Sequence, residues 1–165
     1  KQRLKKVYDM YSALLKQKPM SREEFAEMIV CSIQDIPYVL VVDGDCDAFK
    51  KTKEEYANYD CLGYARFGLQ SPPEFIYNLK GDCDTRALLL YTVLSKFGYD
   101  VAILTSETYS HAILGINLPC TGSFKEFNGK KYYTWETTAA GCIPGYISQE
   151  WSDMNQWSIN LVSQP

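Results

Sequence analysis

The spacing of apolar residues changes once along the chain, at Gly98, and this change constrains the fold more than any other feature. Before it, the stretch DCDTRALLLYTVLSKF has an apolar face at helical spacing, with Asp82 as N-cap and Gly98 as a stop. After it, DVAILTS, HAILGINL and KKYYTWETT are rich in β-branched and aromatic residues, as strands are. Helices first and strands after predict an α+β domain. We expect the helix from Asp82 to about Phe97 to be the most buried and to pack on an antiparallel sheet of residues 101–105, 111–118 and 131–138.

Shorter patterns predict further elements. Residues 1–18 form an amphipathic helix that Pro19 ends, and its narrow apolar stripe favours packing on the domain over lying on a membrane. Ser21 and Glu24 form a capping box that begins a second helix, running to about Gln34. The sequence YVLVV predicts a short strand or a buried extended piece, PEFIYNL a helical turn, and Asn128-Gly129 a two-residue hairpin.

Length and charge exclude several classes of protein. The 165 residues predict a single domain over 1–165, and a net charge of −3 gives no reason to expect nucleic acid as a partner. No apolar run is long enough to span a membrane. Because the chain begins with Lys1 rather than Met, a preceding segment is expected, and membrane association through it stays open. We expect a monomer.

The six cysteines are too sparse for a disulfide scaffold and include no C-x-x-C pair, which argues against zinc. Cys46 and Cys61 flank a polar stretch, residues 43–60, that has no apolar period and predicts an excursion from the core. A bridge between them is open, since pairing needs a geometry that sequence does not show. The cysteines slightly favour an extracytoplasmic location.

The same polar stretch contains a calcium-like spacing. Asp43, Asp45, Asp47 and Glu54 are spaced as in an EF-hand loop. Ala48 stands where that loop wants glycine, Lys50 replaces a small apolar residue, and no entering helix is predicted. A solvated acidic loop is therefore favoured over a calcium site, and no metal or organic cofactor is predicted.

Three residues point to thiol chemistry. Cys83 begins the long helix, where the helix dipole favours thiolate over thiol, although Asp82 and Asp84 oppose it, so an additional cation is needed. His111, the only histidine, begins a predicted strand, and Glu136 interrupts an aromatic run. A thiol, a base and an acid in this order predict a nucleophile, its base and its orienting group. We expect the sulfur roughly 3–4 Å from one imidazole nitrogen, with Glu136 at the other.

The blocks GDCDTRALLLYTVLSKFGYDVAIL, HAILGI and YYTWETTAAG resemble the transglutaminase-like core, a branch of the papain-like cysteine-enzyme fold. Upstream, FAEMIVCSIQDIPY and LQSPPEFIYNLKGDCD resemble the lead-in of prokaryotic transglutaminase-like proteins, so the resemblance covers roughly residues 25–145. It implies a papain/transglutaminase-like core with Cys83 as nucleophile, His111 as base and Glu136 as third member, where many members have Asp.

The residues and the resemblance together predict a cysteine-nucleophile acyl-transfer enzyme acting on peptide or protein substrates. Hydrolysis of peptide or isopeptide bonds through a thioester, as in a peptidase or amidase, is favoured over cross-linking, because nothing suggests an amine-acceptor site. The oxyanion is expected to bind the Cys83 backbone N–H and the Gln34 side chain, with Gln70 as the alternative. The alternative function is a non-catalytic binding or structural module that retains the fold.

Overall fold

A computed structural model describes residues 3–52 and 54–164 of the chain. Five α-helices lie in the described residues: α1 (Lys5–Gln17), α2 (Arg22–Gln34), α3 (Cys46–Thr52), α4 (Pro72–Asn78) and α5 (Cys83–Lys96). The strands of the same residues are β1 (Leu40–Val41), β2 (Cys61–Leu62), β3 (Val101–Ser106), β4 (His111–Ile116), β5 (Phe124–Phe127), β6 (Lys130–Trp135) and β7 (Ser158–Val162).

The main sheet is antiparallel throughout, in the order β5-β6-β4-β3-β7. Helix α5 packs on its β4 and β3 strands. Seven residues of α5 are buried, against six of α2, so α5 is the most buried helix. The predicted α+β fold, with a central helix on an antiparallel sheet, is therefore confirmed.

The start of α5 is fixed by a local cap and by a distant contact. One carboxylate oxygen of Asp82 accepts the Thr85 N–H at 3.4 Å, and the other accepts the Val41 N–H at 3.1 Å. Asp82 thus caps α5, as predicted, and also ties it to β1. Strand β1 pairs in parallel with β2, so the predicted extended piece is a two-residue strand.

The N-terminal helices cover one end of α5. Tyr11 of α1 is buried, its hydroxyl lies 2.7 Å from that of Ser32, and its ring meets the edge of Phe97. Ser21 and Glu24 form the predicted capping box of α2. Helix α1 therefore packs on the domain, as its narrow apolar stripe indicated. None of the helices in the described residues is both long and apolar enough to cross a membrane.

The polar stretch contains a helix that the sequence pattern did not predict. Helix α3 buries none of its residues, which explains why no apolar period marks it. A disulfide joins Cys46 at its first turn to Cys61 of β2. Asp45 accepts the Ala48 N–H and Asp43 accepts the Phe67 N–H. A helix thus replaces the EF-hand-like loop, and no group of three or more metal-ligating side chains occurs within the described residues.

Two further details differ from the predicted sheet. Strand β7 was not predicted, because its SINLV sequence is short and mostly solvent-facing, yet it pairs with the edge of β3. Strand β6 ends at Trp135, so Glu136 lies just beyond the strand rather than within it. The Asn128-Gly129 hairpin joins β5 and β6 as predicted, and both residues have positive φ, as a type I′ turn requires.

Candidate active site

The structure brings Cys83, His111 and Glu136 together at the N-terminal end of α5. His111 is the first residue of β4, the strand that packs on α5. Its Nε2 lies 2.8 Å from Oε2 of Glu136, and the Cys83 side chain is near enough to the same ring to raise the pKa of His111. Because Glu136 engages Nε2, the nitrogen left for the thiol is Nδ1.

The Glu136 carboxylate is buried and fully bonded. Its Oε1 accepts the backbone N–H groups of Thr137 at 2.8 Å and Thr138 at 2.7 Å, and the Thr138 hydroxyl at 2.7 Å. Burial raises its pKa, but the hydrogen bond and charge of His111, together with the Thr138 donors, outweigh burial and lower the pKa overall. The carboxylate is therefore held ionised and fixed in orientation.

His111 is correspondingly held as a cation. Burial acts to lower its pKa, yet the hydrogen bonds with Cys83 and Glu136 and their negative charges raise it to about 9. Its side chain is 9% exposed. The Trp151 ring packs against the imidazole at an angle of 39°, with centroids 4.4 Å apart, which shields one side of the imidazole from water. At neutral pH the site thus contains an imidazolium between two anion-forming groups.

Arg86 is a second cation, one that the sequence analysis missed. It lies one turn after Cys83 and is fully buried. Its guanidinium donates hydrogen bonds to four carbonyl oxygens: those of Ile33 at 2.9 Å, Gly81 at 3.1 Å, Thr137 at 3.2 Å and Ile36. Burial lowers its pKa, and the charges of neighbouring acidic groups, Asp82 and Glu136 among them, oppose that shift. An arginine on the buried face of an apolar helix was the signal that could have identified it, since such residues are rarely buried unpaired.

Arg86 joins the three segments that carry the site. Ile33 lies in the last turn of α2 and Ile36 just after it, Gly81 lies in the turn before Cys83, and Thr137 in the loop that holds Glu136. One side chain therefore sets the spacing between the thiol and the carboxylate. Its positive charge also partly offsets the negative charges of Asp82 and Asp84, the two acids on either side of the thiol.

Those two acids, Asp82 and Asp84, lie close to each other. The Thr85 N–H is shared between them, at 3.4 Å from Asp82 and 3.1 Å from Asp84. Burial, the charge of Asp84 and a hydrogen bond with Asp84 raise the pKa of Asp82 to about 7. Near neutral pH Asp82 is therefore protonated part of the time, and it opposes the thiolate less than a full negative charge would.

The two glutamines expected at the oxyanion site are engaged elsewhere. Both amide hydrogens of Gln34 are donated to carbonyl oxygens, those of Glu136 at 2.7 Å and Cys142 at 2.9 Å. Gln70 donates to the Lys80 carbonyl oxygen at 2.9 Å and is buried under the turn that precedes α5. Gln34 is left with no hydrogen for an oxyanion, so its geometry does not favour the predicted role. The Cys83 backbone N–H, in contrast, has no acceptor among the described residues.

An aromatic groove opens beside His111. Its volume is about 370 Å³, and its walls include Tyr38, Tyr56, Tyr59, Tyr109 and Trp151. A larger cavity, of about 800 Å³, lies between β1 and α3, but its lining contains no thiol or imidazole. The smaller groove is therefore the one next to the reactive groups.

A close backbone contact between Gly122 and Gly145 fixes the loop that follows Glu136. The Gly145 N–H donates to the Thr134 carbonyl oxygen at 2.7 Å, and Ser123 donates to the Gly145 carbonyl oxygen at 2.8 Å. Gly145 has φ +84°, and a Cβ there would lie 1.9 Å from the Thr121 carbonyl oxygen, while a Cβ on Gly122 would lie 2.2 Å from that of Gly145. Only glycine fits at this point. The loop is thereby returned to β6 two residues before the carboxylate.

No family model matches the chain, and no curated protein matches it. Among solved structures, Legionella pneumophila LapG (EGTA-treated) aligns with 92% of this chain and 78% of its own, at 13% identity and a TM-score of 0.35. This is a distant likeness that identifies no family.

Proposed function

We propose that this chain is a cysteine-nucleophile acyl-transfer enzyme, a peptidase or amidase that cleaves peptide or isopeptide bonds. The carrying observation is the His111–Glu136 pair, with the Cys83 side chain beside the same imidazole at the N-terminal end of α5. The resemblance of its sequence blocks to transglutaminase-like proteins supports the same assignment. No step requires a metal or an organic cofactor.

The reaction follows from the order of these groups. With the proton held on the imidazole, the Cys83 thiolate attacks the carbonyl carbon, whose π electrons move to oxygen. When the tetrahedral intermediate collapses, the C–N bond breaks and the imidazolium donates its proton to the leaving amine. Water then attacks the thioester while the neutral His111 takes its proton; the C–S bond breaks, the acid leaves, and the thiolate and imidazolium are restored. Glu136 holds the ring and its charge throughout.

The packing of Glu136 and His111 favours an enzyme over a non-catalytic module. A charged pair held away from water is costly unless its geometry is well satisfied, and an apolar pair would fill the same space more simply. The groove beside His111 is open to peptide-sized ligands. The Cys46–Cys61 disulfide supports an extracytoplasmic location, where such bonds persist.

Iodoacetamide labelling with peptide mapping tests the proposal. Cys83 should be labelled at pH 6–7 much faster than Cys31, a half-buried cysteine outside the site whose pKa burial raises. Incubation with a peptide library should give cleavage that Cys83→Ala abolishes, and added hydroxylamine should trap the acyl group as a hydroxamate. Equal labelling of the two thiols at pH 6–7 would favour the binding-module alternative.

A further inference from the structure

A thiol acyl-transfer site requires donors for the oxygen that becomes negative in the tetrahedral intermediate. The Cys83 backbone N–H supplies one donor. Gln34 cannot supply the second, because the Glu136 and Cys142 carbonyl oxygens occupy both of its amide hydrogens. A side chain that faces the groove can supply the second donor instead.

Tyr38 is fixed beside the turn that leads into Cys83. Its backbone forms a parallel bridge with Gly81, and the Val39 N–H donates to the Gly81 carbonyl oxygen at 3.3 Å. Its ring centroid lies 5.7 Å from Cζ of Arg86, and the edge of Tyr59 packs against it at 5.9 Å between centroids. The Tyr38 ring thus has contacts on two sides, and the Tyr38 backbone pairs with Gly81, two residues before the nucleophile.

The Tyr38 hydroxyl is available to a ligand. Tyr38 is half-buried and lines the same groove as His111. Among the described residues, no atom accepts a hydrogen bond from this hydroxyl. Burial, followed by the negative charges of Cys83, Asp82 and Asp84, raises its pKa, so the phenol keeps its proton over the working pH range. The Thr138 hydroxyl, in contrast, is already donated to Glu136.

We propose that the Tyr38 hydroxyl is the second oxyanion donor, acting with the Cys83 N–H, and is thus a catalytic residue; this rests on the proposed function above. As the C–S bond forms and the carbonyl π electrons move to oxygen, the phenol O–H donates a hydrogen bond to that oxygen and keeps its proton. When the C=O bond reforms, the hydrogen bond weakens again. The acidic groups that help to keep the phenol protonated, Asp82 and Asp84, also flank the thiol.

The test compares two reactions of Cys83 in Tyr38→Phe. Alkylation by iodoacetamide is a displacement at carbon that forms no oxyanion, whereas acylation by p-nitrophenyl acetate forms one. Loss of one oxyanion donor typically costs about 10²–10³-fold in rate for amide substrates, so we expect acylation of the activated ester to fall at least about tenfold. Alkylation should stay within about twofold. Peptide mapping assigns both products to Cys83, and Cys83→Ala gives the background.

Tyr91→Phe is the matched control, because Tyr91 is a half-buried tyrosine of α5 that packs on the core away from the groove. It should change neither rate. Unchanged acylation in Tyr38→Phe overturns the oxyanion role while leaving the proposed function intact. A parallel fall of both rates also overturns it, because Tyr38 would then act on the thiol itself. If wild-type Cys83 is alkylated no faster than Cys31, the proposed function fails and the role of Tyr38 fails with it.

Discussion

Replacing Glu136 by glutamine should remove the charge that keeps His111 protonated while preserving the shape of the side chain. The glutamine oxygen still accepts the Thr137 and Thr138 donors, so its NH₂ group faces Nε2 of His111. A donor in that position requires an unprotonated Nε2, which places the single imidazole proton on Nδ1. That nitrogen faces Cys83 and can then no longer accept the thiol proton.

The size of the effect follows from the two states of the ring. The pKa of His111 is raised from 6.5 to about 9 in the intact site, which corresponds to stabilisation of the imidazolium on the order of 3 kcal/mol. Without Glu136, burial remains and acts to lower that pKa. We therefore expect the titration midpoint in Glu136→Gln to fall to about 6.5 or below, and acylation of Cys83 to fall about 10³–10⁴-fold, as a wrong tautomer does in related triads.

The chain has a single histidine, so one imidazole signal in an NMR titration reports this residue without assignment.

Unfolding in urea gives a second measure of the His111 pKa. Because the folded pKa of His111 lies above its unfolded value, its contribution to stability is complete below about pH 6.5 and is lost as pH rises through about 9. This loss should be present in wild type and absent in Glu136→Gln. Glu126→Gln, an exposed change on β5, is the control.

A wild-type midpoint near 6.5 would refute the reasoning at once, since the ring would then lack the anionic partners that we assign to it. A midpoint near 9 that survives in Glu136→Gln would show that another group holds the proton. Either result would show that Glu136 is not the group that keeps His111 protonated.

Three further outcomes are expected from urea unfolding. Asp82→Ala should lose about 1 kcal/mol with the cap, whereas Asp82→Asn keeps the cap. Because the folded pKa of Asp82 is raised to about 7, protonation of Asp82 stabilises the fold fully below about pH 4, and this contribution is lost as pH rises through 7. The Asn variant should lack this pH dependence of the free energy of unfolding. Arg86→Met removes four hydrogen bonds and leaves the Ile36 and Thr137 carbonyl oxygens without a donor among the described residues. It should cost about 3 kcal/mol or more, so a near-neutral result would contradict its role in positioning. Changing Cys46 and Cys61 to serine should cost about 3 kcal/mol for a loop with a separation of 15 residues, provided that non-reduced mass spectrometry shows the bond in wild type.

Local signals explain what could be predicted from the sequence. The Asp82 cap, the Ser21–Glu24 capping box and the Asn128-Gly129 turn each depend on residues within four positions of one another, so their patterns are complete in the sequence. The change of period at Gly98 likewise separates helix from strands. These features placed Cys83 and His111 at the starts of elements that pack together.

The partners of long polar side chains could not be predicted in this way. Gln34 donates to carbonyls 102 and 108 residues away, and Arg86 donates to Ile33 and Thr137, 53 and 51 residues distant. Such partners are backbone oxygens, which every residue has, so no residue type indicates them. The same holds for Trp151, whose stacking on His111 depends on the course of a loop with few apolar residues.

The close contact between Gly122 and Gly145 fixes the far end of the loop that runs from Glu136 to Gly145. Both ends of this loop are anchored at β6, and its exposed tip, Ala139 to Gly141, lies between them. Insertions or sequence changes at the tip should therefore leave the carboxylate in place, so evolution can vary these residues independently of the chemistry. A single methyl group at either glycine would have the opposite effect, since it would displace the anchor itself.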